Sequence, residues 1–292
     1  IVSEHVENAG THSGDATSVI PAQRLYVETV RQIKKASSLI ASGLKLNGPF
    51  NMQFLAEDNK VRVIECNARA ARSFPFVSKV IGINLAELST AVMLGASFKI
   101  PRYSEDELSQ VGVKAAMFSF ARLKGADPVS GVEMSSTGEV GCLAPTFSEA
   151  FLLALEASHV KRPKKAVLVS AGTQKDKIKF LSAAKIFKNL GLKIYATSGT
   201  ASFLEKQGGI AANKVNWPDS KENNVLNLIR EGEVDLVCNI PKNLSQKELS
   251  FGMQIRQESV AYGVSLLSNM EKILSFAQSL EVSQKNPSLG LQ

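Results

Sequence analysis

An α/β fold in two parts, a mixed α+β portion followed by a doubly wound parallel sheet, is predicted by three observations. After residue 164 the short apolar runs "KAVLVS", "LKIYA", "VDLVCNI" and "VSLLS" alternate with helical patterns at 175–190, 221–231, 245–261 and 269–280, the texture of a parallel sheet with helices on both faces. Before it, "GPFNMQFLAEDNKVRVIECN" places two β-rich runs around the polar turn Glu57-Asp58-Asn59-Lys60, which reads as an antiparallel hairpin. The 292 residues, 44% of them hydrophobic, suffice for about two domains at the usual ~100–200 residues each.

Taken in order, the chain opens on "IVSEHVENAGTHSGDA", strand-like and without an initiating Met, so an upstream portion of a larger protein is expected. Residues 22–44 follow as an amphipathic helix, with Leu25, Val30, Ile33 and Ile40 near a 3.6-residue period and Gly43 near its end. In the hairpin, pairing Glu57 with Val61 places Gln53 opposite Glu65. Period-2 alternation then sets Glu65 and Asn67 on one face with Gln53 beside them, and Cys66 on the other, where a buried, inert thiol is expected. A helix is predicted near 84–95, a loop-rich stretch containing "EMSSTGEVG" follows, and a second helix spans 147–157. The basic "KRPKK" at 161–165 reads as a solvated linker, and "VSQKNPSLGLQ" as a frayed tail. The expected divisions are 1–104, a connecting region at 105–163, and 164–292.

Composition narrows the function. No stretch nears the roughly 18 apolar residues of a membrane span, and the first residues are not a charged-then-apolar leader, so a cytoplasmic protein without a membrane partner is expected. Cys66, Cys142 and Cys238 lie far apart and suggest neither a disulfide framework nor a zinc site. The 34 Lys+Arg against 27 Asp+Glu favour an anionic partner. Nucleic acid is not expected, because 161–165 is the one tight basic cluster and lacks interleaved aromatics.

Two constellations carry chemistry. A hard divalent cation takes oxygen ligands from one or two side chains plus substrate phosphates, and Gln53, Glu65 and Asn67 meet that need. Arg69 and Arg72, just past the strand end, can hold phosphoryl oxygens through planar forks. Spacing alone favours the plainer arrangement, surface ion pairs among Glu65, Arg69 and Arg72, with Asn67 capping a turn.

The second constellation sits where a parallel sheet gathers ligands, at the C-terminal ends of its strands. "ATSGT" supplies Thr197, Gly199 and Thr200, Lys177 opens the first helix, Trp217 ends "KVNW", and Asn239 follows "VDLVC". Helix caps and turns are the plain alternative for those threonines and glycines.

"EHVENAGTHSGDA", "NMQFL", "IECNARAARSFPFVSKV", "EMSSTGEV" and the terminal α/β unit, in this order, resemble the C-terminal part of the carbamoyl phosphate synthetase large subunit. The resemblance implies the end of its second ATP-grasp domain, a connecting region, and a methylglyoxal-synthase-like regulatory domain at 164–292. It implies ATP- and Mg²⁺- (or Mn²⁺-) dependent phosphorylation of carbamate to carbamoyl phosphate, by an ATP-dependent ligase whose active site this chain holds only in part. Carried over by motif, Gln53, Glu65 and Asn67 match metal ligands, Gln53 and Glu65 also touching ATP through the metal. Arg69 and Arg72 match phosphate-side catalytic arginines, and Gly10, Thr11, His12 and Ser13 match a nucleotide-contacting segment. His12 is implied as a contact rather than an acid–base catalyst, and Ala68 stands where many relatives have Pro.

In the regulatory domain the resemblance makes Lys177, Thr197, Thr200, Trp217 and Asn239 effector-binding positions. Ala115 replaces the Glu of ornithine-activated enzymes, although Glu7 and Asp15 match that site. Lys242 and Gly252 replace asparagines of the N-acetylglutamate-activated type, so a uridine nucleotide is the expected effector. Expected partners are the upstream remainder of the large subunit and a glutamine amidotransferase subunit or domain. The compartment is cytoplasmic, or mitochondrial for a urea-cycle type, and the end of the chain suggests an unfused synthetase. A free-standing effector-binding module without catalysis is the alternative. A methylglyoxal-synthase-type lyase is disfavoured for want of a catalytic aspartate pattern beside "ATSGT".

Overall fold

The computed structural model describes residues 1–99, 101, 103–119, 125–241 and 246–286. Its first part holds β1 (Glu4–His5), β2 (Ser18–Ile20), α1 (Val27–Gly43), β3 (Asn51–Glu57), β4 (Lys60–Asn67), α2 (Phe74–Ile81), α3 (Leu85–Met93), β5 (Val111–Met117), β6 (Gly138–Ala144) and α4 (Phe147–Ala157). The second holds β7 (Ala166–Ser170), α5 (Gln174–Asn189), β8 (Lys193–Thr197), α6 (Ser198–Gly208), β9 (Asn213–Val215), α7 (Val225–Arg230), β10 (Leu236–Asn239), α8 (Gln246–Ala261), β11 (Ser265–Leu267) and α9 (Met270–Lys285).

The hairpin β3–β4 turns on Asp58 (φ 49°) and Asn59 (φ 60°). Both are left-handed, a conformation that short polar side chains tolerate and that matches strand twist. Glu57 therefore pairs with Lys60, one residue short of the expected Val61. Between Phe54↔Val63 and Gln53↔Glu65 the register shifts, leaving Ile64 as an extra, bulged residue. The bulge restores the offset, so Gln53 does face Glu65, by a route the alternation did not contain. Thr29 of α1 donates its hydroxyl to Asn59 Oδ1 at 2.7 Å and pins the helix to the turn. Cys66 is only half-buried, contrary to expectation, because this two-stranded ladder has little packed on either face.

The stretch read as loop-rich contains two strands. β5 and β6 extend an antiparallel sheet of order β1-β2-β5-β6. Their sequences, "VGVKAAM" and "GEVGCLA", are rich in Gly and Ala for a packing reason. Phe76 of α2, a helix absent from the expectation, lies against them. A Cβ at Gly141 would come within 2.6 Å of its ring, and one at Gly112 within 2.3 Å of Val80. Gly141→Ala is accordingly expected to destabilise the protein by about 1–3 kcal/mol through overpacking, read from the denaturant midpoint. The opposite face of β5 carries Val113 and Ala115, both fully buried.

The C-terminal sheet is wholly parallel, order β11-β10-β7-β8-β9. Alternation along β7 sends Val167 and Val169 into one apolar layer with α5 and α9, and Ala166 and Leu168 into another with α7 and α8. The expected strands are all present; β9 and α6 are additional. The helix expected over 221–231 is shorter, starting at Val225 behind Asn224, whose side chain caps it.

α4 begins with a capping box, Thr146 with Glu149. It buries Ala150, Phe151, Leu152, Ala154 and Leu155, packing on β5, β6 and α9 at once. One core thus runs from the antiparallel sheet through α4 into the parallel sheet. The segment 161–165 is solvated at Lys161, Lys164 and Lys165, as expected, while its backbone is tied down. Asp235 accepts hydrogen bonds from the N–H groups of Lys164, Lys165 and Ala166 at 2.6–3.0 Å, and Lys161 N donates to Ser265 Oγ. The tail read from 282 onward begins inside α9, and residues 287–292 lie outside the described ones.

At the start of α9 two charges reach the N-terminal part. Lys272 pairs with Glu7 at 3.4 Å, and Glu271 accepts from Asn8, pairs with Lys179 and lies 3.9 Å from Arg24. Burial alone would raise the Glu271 carboxyl; the Lys179 ammonium, with Asn8 and Arg24, outweighs it and holds it below the usual carboxylate range. Among the described residues no single helix is long and apolar enough to cross a membrane.

Candidate functional sites

The first site forms where the hairpin meets the 10–15 segment. Gln53 Nε2 and Asn67 Nδ2 each donate to the same oxygen, Glu65 Oε1, at 2.7 Å, and Gln53 Nε2 also donates to Ser13 Oγ at 2.8 Å. Four of the expected residues therefore converge. Amide orientation is set by neighbours; turning either amide presents its oxygen instead of its nitrogen. His12 Nδ1 accepts from Gly14 N at 3.0 Å, so that nitrogen is occupied in the loop. Thr11 is half-buried and Gly10, at φ 107°, is exposed in the same segment.

Arg69 donates to the carbonyl of Ala70, and Arg72 lies against Met134 Sδ at 3.1 Å. Neither pairs with Glu65, so the surface ion-pair arrangement is not the one formed. Residues that the pattern did not single out complete the surroundings. Gly14 allows close approach: a Cβ there would stand 2.8 Å from Met134 Sδ. Lys114, 2% exposed, donates to the Gly14 carbonyl at 3.3 Å and pairs with Glu139 at 3.4 Å. Burial holds its ammonium below the ordinary lysine range, opposed by Glu139 and reinforced by Arg72. Glu7 and Asp15 already have partners: Thr17 and Lys272 for Glu7, the N–H groups of Ser135 and Ser136 for Asp15. Among the described residues no group of three or more His, Cys, Asp and Glu could hold a metal; the Gln53–Glu65–Asn67 set has a single carboxylate.

The second site is a cavity of about 220 Å³ at the C-terminal ends of β7, β8 and β10. Strand order reverses there: β8 follows β7 on one side and β10 lies on the other, the switch point where open parallel sheets bind ligands. Lys177, Thr197, Thr200, Trp217 and Asn239 all line it. Thr197 occupies the N-cap position of α6, yet its hydroxyl makes no cap hydrogen bond. Thr200 Oγ1 accepts from Ala171 N at 3.3 Å. Trp217 stacks on Phe251, centroids 5.9 Å apart.

Arg256 is the residue sequence reasoning missed. It is 2% exposed and reaches the same cavity. Leu249, Gly252 and Arg256 lie at helical spacing along α8 and share its cavity-facing side, but nothing local in the sequence says that this side faces a cavity. Lys242 falls outside the described residues.

Residues 1–100 match the family described as carbamoyl-phosphate synthase L chain, ATP binding domain, and residues 179–268 match the MGS-like domain. Multifunctional protein URA2 of Saccharomyces cerevisiae is 44% identical over 98% of this chain and 14% of its own length. Multifunctional protein pyr1-3 of Dictyostelium discoideum is 42% identical over 96% of this chain and 13% of its own. The mitochondrial carbamoyl-phosphate synthase (ammonia) of Aquarana catesbeiana is 42% identical over 97% and 19% respectively. The chain spans less than a fifth of each of these relatives. Its first hundred residues are an ATP-binding-domain segment, an MGS-like domain follows, and the likeness holds along almost its whole extent: the chain belongs to the carbamoyl-phosphate synthase family.

Proposed function

We propose that this chain supplies part of the carbamate-phosphorylating site of an ATP-dependent ligase, together with the effector-binding domain that regulates it. The observation that carries the reading is the meeting of Gln53, Glu65 and Asn67 around one carboxylate oxygen. One carboxylate and two amides suit a hard cation that retains waters and phosphate oxygens as its other ligands, and soft ligands are absent from the trio. Gln53, Glu65 and Asn67 are the residues to hold Mg²⁺ or Mn²⁺, which when bound neutralises phosphate charge and orients the terminal phosphoryl group. Ser13 positions Gln53, and the Gly10–Ser13 segment lies along the nucleotide. Among the described residues no carboxylate pairs with Arg69 or Arg72, so both forks are available to phosphoryl oxygens.

The adenine-holding lobe belongs, on this reading, to the upstream remainder of the large subunit, and a glutamine amidotransferase subunit or domain supplies nitrogen. The chain by itself is not expected to turn over. The cavity in the parallel sheet takes the effector. Among the described residues, two cations, Lys177 and Arg256, and no Asp or Glu line it, which favours an anion. The Trp217–Phe251 stack offers a flat apolar wall for a base, which favours a uridine nucleotide over N-acetylglutamate. The partnered state of Glu7 and Asp15 and the buried Ala115 argue against ornithine. The compartment proposed is the cytoplasm, or the mitochondrion for a urea-cycle type.

The test is direct. The full-length protein, given ATP, Mg²⁺ and ammonium carbamate, is expected to form carbamoyl phosphate, and failure to form it under conditions where the protein is folded would overturn the reading.

A further inference from the structure

Arg256 does more than face the cavity. Its Nη1 donates to Asn239 Oδ1 at 2.5 Å, and its Nε and Nη2 form a two-pronged pair with the carboxylate of Asp127 at 2.6 and 2.5 Å. A guanidinium only donates, so the Asn239 oxygen must face it and the Asn239 NH₂ is left for the cavity. Gly252 makes this possible, since a Cβ there would lie 2.9 Å from Arg256 Nη1. Asp127 belongs neither to the parallel sheet nor to α8. It stands on the strap 125–137 that leads into β6.

The same strap touches the first site within the next ten residues. The Gly131 carbonyl accepts from His12 N at 2.7 Å, Met134 lies against Arg72 and Gly14, and Ser135 and Ser136 donate to Asp15 at 2.9 and 3.0 Å. Beside Asp127, the Ala126 carbonyl accepts from Gln257 Nε2 at 3.1 Å. One short segment is thus fastened to the effector cavity at one end and to the proposed nucleotide segment at the other.

We propose that Asp127 is a positioning residue of the effector cavity, orienting Arg256 and through it Asn239, and that it makes the strap 125–137 the connection by which the cavity's occupant is felt at the nucleotide segment. This rests on the effector reading above. An anion in the cavity competes with Asp127 for the Arg256 charge, so occupancy changes how firmly the strap is fastened. Coupling is reciprocal: whatever the effector does to nucleotide affinity, the nucleotide does to effector affinity, and both effects require the fastening.

The experiment uses the full-length protein, with uridine monophosphate as the probe. Its dissociation constant is measured by calorimetry, and the ratio of ATP half-saturation with and without it is measured in carbamate phosphorylation. Asp127→Asn is expected to tighten uridine monophosphate binding about threefold, because the charge of Arg256 is no longer neutralised, while the ratio collapses to about one. That split in sign is what a merely structural role cannot produce. A ratio retained at the wild-type value overturns the proposal. So does a joint fall in affinity, ratio and melting temperature. Should Asp127→Asn not fold, Asp127→Glu, which keeps the charge but shifts the fork, is expected to lower the ratio by a smaller factor without weakening binding. A wild-type protein that binds neither uridine monophosphate nor N-acetylglutamate fails the effector reading itself, and this inference falls with it.

Discussion

In the full-length protein, Glu65→Gln is expected to reduce carbamate phosphorylation on the order of a thousandfold and leave the melting temperature almost unchanged. The fold has little at stake. Glu65 is exposed, and glutamine keeps an oxygen where Gln53 and Asn67 donate. What disappears is the one negative charge in the trio. Charge stabilisation by a metal at a phosphoryl group amounts to several kcal/mol, and about 4 kcal/mol corresponds to roughly a thousandfold in rate. Carbamoyl phosphate formation from ATP and carbamate is the readout, with effector binding as the control. Synthesis at the wild-type rate would refute the metal assignment, and loss of effector binding alongside activity would point to unfolding instead.

The second large effect concerns the cavity. Thr200→Ala is expected to weaken uridine nucleotide binding about 10–100-fold by calorimetry. A hydrogen bond to a charged group contributes about 1.5–3 kcal/mol, and the mutation also strips Ala171 N of its acceptor at the cavity mouth. The measurement belongs on the whole chain rather than on residues 164–280. α4 covers part of α9 and shares its core, so excision at 164 would bare an apolar face. Equal affinity in mutant and wild type would remove Thr200 from the site.

How much of this was legible in the sequence depends on the physical signal each element carries. Strands β7, β8, β10 and β11 of the parallel sheet are largely buried and read as apolar runs, so they were visible, as were the helices α4 and α5 with their Thr-x-x-acid starts; β9, at the sheet edge with Asn213 and Lys214 exposed, was not. β5 and β6 were not. Val80 requires glycine at 112 and Phe76 at 141, which erases the β-branched, alternating pattern by which strands are recognised. α6 was hidden because Ser198-Gly199-Thr200 reads as a turn, while in the fold those residues open a helix. The Gln53–Glu65 pairing was found through an assumed register that was wrong at the turn and corrected by a bulge, which no periodicity encodes. Arg256 was overlooked because its partners, Asn239 and Asp127, are 17 and 129 residues away. Long-range charge pairing leaves no local mark.

α4 gives the molecule its remaining property. Phe151 and Leu155 of α4 are completely buried in the core that the helix shares with the antiparallel sheet and α9. The boundary between the units is therefore not a hinge but a shared wall, and motion of one sheet is resisted by the close packing of the other.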